Sequence, residues 1–107
     1  MVEIERGSGN VYTDLGMAEA SEMLVKAQLI TKIGEIIKDR GWTQQEAADV
    51  LGMTQPKLSK MLRGQFRGVS ESKMLECLAR LGRQVQIVIG PACQLNDTGR
   101  IEVVFAA

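Results

Sequence analysis

A chain of 107 residues with 45% hydrophobic and 24% charged side chains has the length and balance of one globular domain. That is enough for a single core and too little for two. No run of about 18 apolar residues is present, so no helix of this sequence is expected to span a membrane. The start MVEIERGSGN lacks the basic and apolar stretches of a signal peptide, and the expectation is a soluble cytoplasmic protein. Thirteen basic and thirteen acidic residues cancel to zero net charge, which at first sight argues against a nucleic-acid partner.

The charge is divided along the chain. Residues 1–37 carry three basic side chains against six acidic, whereas residues 38–67 carry six (Lys38, Arg40, Lys57, Lys60, Arg63, Arg67) against three (Asp39, Glu46, Asp49). Between 54 and 67 there are four positive charges and no negative one. Screening limits electrostatic reach to about 8 Å at physiological salt, so a phosphate would feel this basic block rather than the total.

In chain order, residues 1–17 read as an amino-terminal arm, with a short extended piece around Val11 and Tyr12. Helical periodicity starts near Ala18 and runs to Arg40, with Leu24, Ala27, Ile30, Ile33 or Gly34, and Ile37 forming one apolar stripe. Gly41 closes that helix. Thr43 then caps a helix over 44–51, and Glu46 completes a T-x-x-E capping box. Gly52 ends it, Thr54 caps a helix over 55–62 with Pro56 in the first turn, and Gly64 follows. Ser70 caps a fourth helix over 71–81 that turns Met74, Leu75, Leu78 and Leu81 inward, with Gly82 as terminator.

After Gly82 the period becomes strand-like. Val85, Ile87 and Ile89 alternate along one segment, and Ile101, Val103 and Phe105 along another, with Asn96-Asp97-Thr98-Gly99 supplying a turn. The expected organisation is therefore mainly α, with a helical domain at 18–82 and a C-terminal two-stranded β-hairpin at 83–107. Two strands alone are marginal and leave an open edge, which pairing with a second copy of the chain would cover.

The informative stretch is Thr43 to Gly64. Two helices of about two turns each, joined at Gly52, have the length and punctuation of a helix-turn-helix. Ala47 and Ala48 permit close approach of the pair. Val50, Leu51, Leu58, Met61 and Leu62 are placed to close against Ile33 and Ile37, leaving Gln55, Lys57, Ser59 and Lys60 on an outer face without an acid.

From Ile30 to Gly64 the sequence resembles the Xre/Cro family of repressors. The likeness rests on Thr43, Gln44, Glu46 and Ala48, the turn Leu51-Gly52, the pattern Thr54, Gln55 and Ser59, and Lys60 with Arg63-Gly64. The resemblance implies a lambda-repressor-like bundle of four to five helices that binds double-stranded DNA, with a homodimer on a palindromic operator. It implies that Gln55, Lys57 and Lys60, with Thr54 and Pro56, meet base edges. Gln44, Ser59 and Arg63, with Arg67 and Arg40, would hold phosphates. The chemistry agrees, because Gln reads adenine bidentately, Lys reaches guanine, and hydroxyls serve phosphates. Pro56 departs from the polar residue many members carry, so one base contact is expected to be lost or to become apolar.

A narrower likeness spans Asn10–Gly16, Lys26–Ile30, Gln55–Ser59, Leu62–Phe66 and Leu81–Arg83, and is similar to the HigA-like antitoxin branch. It implies repression of the chain's own operon and a RelE-like toxin as partner, with the acidic amino-terminal third as its contact. The alternatives are a stand-alone Xre-type regulator and a protein-interaction module that binds no DNA. No catalytic residue, cofactor or metal is expected. There is no histidine, Cys77 and Cys93 lack a ligand spacing, and Cys77 and Ser59 sit where packing and capping account for them.

Overall fold

The computed structural model describes residues 11–92 and 98–106, with side chains from residue 20 onward. Four helices follow one another: α1 (Val11–Arg40), α2 (Gln44–Leu51), α3 (Gln55–Leu62) and α4 (Glu71–Arg80). The last three start on the caps read from the sequence. Thr43 Oγ1 accepts from the Glu46 N–H at 3.1 Å while the Glu46 carboxylate accepts from the Thr43 N–H at 2.8 Å. Thr54 and Ser70 accept from the N–H groups of Lys57 and Lys73.

All four helices end in the same way. The glycine past each end, at 41, 52, 64 and 82, has positive φ. The residue after it donates back five positions: Trp42 to Ile37, Met53 to Ala48, Gln65 to Lys60 and Arg83 to Leu78, at 2.9–3.3 Å. These paired bonds satisfy carbonyls that the helices leave open. They also bend the chain sharply enough to stack short helices against a long one.

α1 has 30 residues and is about 45 Å long at 1.5 Å per residue. Its buried stripe is Val25, Leu29, Ile30, Ile33, Ile36 and Ile37. α4 and α3 pack on that stripe, and α2 bridges α3 and α4. The centre is formed by Ile33, Leu51, Leu58, Met61, Met74, Cys77 and Leu81, each under 2% exposed. Phe66 adds its ring from the loop between α3 and α4.

Three expectations are corrected. First, the helix begins at Val11 rather than near Ala18, so Val11 and Tyr12 are helical and not an extended piece; residues 1–10 lie outside the described residues. Helix growth from an established nucleus adds one hydrogen bond per residue fixed and needs no apolar stripe, so periodicity understates its extent. Second, Leu24 is 60% exposed, Val25 takes the inward position, and Val50 is also exposed. Steps of three and four fit more than one phase of a helix, and only the packing of α4 and α3 selects between them.

Third, the C-terminal hairpin is not seen: among the described residues there is no strand. Ile87, Val88, Ile89, Ile101 and Val104 are each more than 70% exposed. Alternation marks side chains suited to a sheet, but a ladder needs a partner and a face to bury, and this single chain offers these residues neither. Val103 does pack against the core. Phe105 lies beside Ala27, Gln28, Thr31 and Glu35 on the outer face of α1, with Lys32 Nζ 5.3 Å from its ring centre. Cys93 and the turn at 96–97 lie outside the described residues.

Candidate nucleic-acid interface

The sequence of α3, QPKLSKML, divides its own faces. Leu58 and Met61 are buried and Leu62 half-buried, while Pro56, Lys57 and Lys60 are exposed and Gln55 and Ser59 lie at the border. Arg63 follows as the C-cap and is exposed. None of Lys57, Lys60 and Arg63 enters an ion pair among the described residues. Their charge is therefore available to a phosphate or a base edge. Arg67 is exposed on the loop beyond.

The Gly52 turn places the starts of α2 and α3 side by side. Gln44 and Gln55, each the first residue of its helix, come within one hydrogen bond: Gln55 Nε2 donates to Gln44 Oε1 at 2.8 Å. A glutamine amide has two N–H donors and one acceptor oxygen. With one donor committed to Gln44, Gln55 retains one donor and one acceptor in a fixed plane. That is the pair a bidentate contact with adenine N7 and N6 requires. Spacing brings these two residues to the same side of the motif, but only the folded turn makes them touch.

Two expected contacts meet different surroundings. The Thr54 hydroxyl accepts from the Lys57 N–H at 3.3 Å, so it keeps its O–H donor and one acceptor lone pair. Arg40 donates through Nη2 to the Leu81 carbonyl at 2.8 Å and lies over the Trp42 ring, 5.0 Å from its centre. Its guanidinium caps the end of α4, and a phosphate could use only its remaining N–H groups. Pro56 is exposed in the first turn and presents an apolar ring to solvent.

Sequence reasoning missed two basic side chains that brace the motif. Arg80 on α4 reaches under the turn: a methyl group built on Gly52 would stand 2.6 Å from Arg80 Nη1. Lys26 on α1 is 4% exposed and donates to the Arg67 carbonyl at 2.9 Å. A lysine set inside the apolar positions of α1, one turn after Glu22, was the available signal. Cys77 is a free buried thiol whose desolvation pushes its pKa up, against the lowering influence of Lys73. Among the described residues no three His, Cys, Asp or Glu side chains gather as a metal site would need, and no helix is long and apolar enough to cross a membrane.

A fold in which two short capped helices meet at a tight glycine turn, with an acid-free basic helix outermost, defines the helix-turn-helix class. The helix-turn-helix domain family matches residues 11–90, and the chain belongs to that family. A solved structure provisionally assigned to the XRE family of transcriptional regulators is similar at 31% sequence identity, with a TM-score of 0.75, over 82% of this chain and 99% of that one. Comparison with curated proteins gives no match. The protein is thus an Xre-type DNA-binding transcriptional regulator.

Proposed function

We propose that two copies of the chain bind a palindromic duplex operator and repress transcription from it, each inserting α3 into the major groove. Gln55, Lys57 and Lys60 meet base edges, with Thr54 and Pro56 at the margin of that contact. Gln44, Ser59, Arg63 and Arg67 hold the flanking phosphates, and Arg40 contributes through the N–H groups it has left. The observation that carries the reading is the Gln55–Gln44 hydrogen bond. It orients one amide for adenine recognition on a face whose lysines have no acidic partner among the described residues.

Selection of duplexes from a random pool tests it directly. The chain should recover an inverted repeat, and its affinity should fall steeply with salt as each neutralised phosphate releases counterions. Gln55→Ala and Lys60→Ala should each cost about 1–3 kcal/mol on the selected site and flatten preference at one base pair. Equal losses on unrelated duplexes would reassign both residues to the backbone. No enrichment, together with salt-insensitive binding to a protein, would favour an interaction module instead.

The homodimer is supported by the exposed apolar residues Ile87, Val88, Ile89, Ile101 and Val104, which suit strands that pair across a two-fold axis and would complete the hairpin alternation. Light scattering at micromolar concentration should give twice the chain mass. The antitoxin role rests on the sequence likeness alone. Co-expression with the product of the neighbouring open reading frame should yield a stable complex with a RelE-like toxin; its absence leaves a stand-alone regulator.

A further inference from the structure

We propose that Pro56 makes recognition of the operator depend on a thymine methyl group in each half-site, at the base pair next to the adenine that Gln55 reads. This rests on the DNA-binding reading given above and names what α3 meets at the N-terminal margin of its contact. Pro56 is exposed in the first turn of α3 and Lys60 is exposed one turn later, so the two share a helix face. By helical periodicity that face lies opposite the stripe of Leu58, Met61 and Leu62 that closes on the core. An insertion of α3 that brings Lys60 to a base edge therefore brings the Pro56 ring to one as well.

What the ring can meet there is limited by what it lacks. Proline has no polar atom in its side chain and no backbone N–H. The N–H groups that follow are spent inside the motif, Lys57 donating to Thr54 Oγ1 at 3.3 Å and Leu58 to the Thr54 carbonyl at 3.1 Å. Position 56 thus offers a base an apolar surface and no donor. In the major groove adenine, guanine and cytosine present donors or acceptors, and the thymine C5-methyl is the one apolar group. A ring pressed on a polar edge strips water from groups it cannot satisfy, whereas a methyl group gains by leaving water. The ring is also rigid, so packing it costs no rotamer entropy. Gln55, the preceding residue, has its amide held by Gln44 at 2.8 Å. Adjacent Cα atoms are about 3.8 Å apart and stacked bases about 3.4 Å, which puts the pair next to that adenine within reach of the ring.

The test uses the full chain and a duplex that it selects from a random pool. The adenine is marked by Gln55→Ala, which should flatten preference at its pair. Deoxyuridine in place of the thymine beside it removes the methyl group and leaves the pairing edge intact. It should weaken wild-type binding about fourfold, the factor expected for one methyl group left unburied. With cytosine and guanine at that pair instead, 5-methylcytosine should bind about fourfold better than cytosine, because its methyl group occupies the same place in the groove. Pro56→Gln should abolish both differences while keeping the adenine preference and the salt slope, since no phosphate contact is lost. Pro56→Ser takes its place if that variant loses its helical circular dichroism. Absence of a thymine beside the marked adenine, equal binding to thymine and deoxyuridine, or a methyl effect that survives in the Pro56 variant overturns the proposal. A wild-type chain that binds no duplex at any salt overturns the DNA-binding reading and this role with it. Methyl-independent binding with the Gln55 preference intact overturns this role alone.

Discussion

Replacing Gly52 by alanine should destabilise the protein by an amount that divides into two measurable parts. Gly52 has φ 72°, in the left-handed region, where an L side chain costs about 1–2 kcal/mol. Its new methyl group would also stand 2.6 Å from Arg80 Nη1 and 3.3 Å from Cζ. Arg80 can swing away, but only by giving up its bond to Glu76, 3.1 Å between side chains that are about half exposed. An exposed pair at this helical spacing is worth about 0.3–0.5 kcal/mol. Gly41 supplies the control: its φ is 70°, and nothing lies within 4 Å of the methyl group it would carry.

Urea unfolding followed by circular dichroism should therefore show Gly41→Ala losing about 1–2 kcal/mol and Gly52→Ala a few tenths more. Each kcal/mol should lower Tm by about 4–8 °C in a domain of this size. Gly52→Asn should recover part of the loss, since Asn tolerates the left-handed region. Adding Arg80→Ala to Gly52→Ala should remove the excess over Gly41→Ala. Two variants indistinguishable from wild type would refute the claim that these turns need left-handed backbone. Equal losses at 41 and 52 would show that Arg80 does not lie against the turn.

Thr43→Ala removes one half of the capping box and should cost about 1 kcal/mol in the same unfolding assay, with Thr43→Ser nearly neutral. Gln44→Ala should weaken the adenine preference conferred by Gln55, and a double-mutant cycle on the selected duplex should give a coupling of about 0.5–3 kcal/mol between them; additive losses would mean that the bond does not persist on DNA. Burial raises the Cys77 pKa, so its stability contribution is complete below the unfolded thiol's pKa, about 8.5, and is lost as pH rises through the folded value. The urea midpoint should accordingly fall more steeply on the alkaline side in wild type than in Cys77→Ala, and parallel profiles would contradict this.

The sequence by itself determined where α2, α3 and α4 begin and where all four helices stop. Thr43, Thr54 and Ser70 bond N–H groups three residues away, and Gly41, Gly52, Gly64 and Gly82 turn the chain within two residues. Such interactions are local, so their chemistry is legible without knowing the fold. The same locality made the two-faced character of α3 readable, from Leu58 and Met61 on one side to Lys57 and Lys60 on the other. Tertiary structure alone decided which phase of α1 is buried, placing Val25 rather than Leu24 inside. It joined Gln44 to Gln55, drew Arg40 onto the Leu81 carbonyl, buried Lys26 against Arg67, and left the alternating residues at 85–89 and 101–105 without a ladder. Each of these depends on a partner distant in sequence, and a periodic pattern specifies that a side chain has a neighbour without specifying which one.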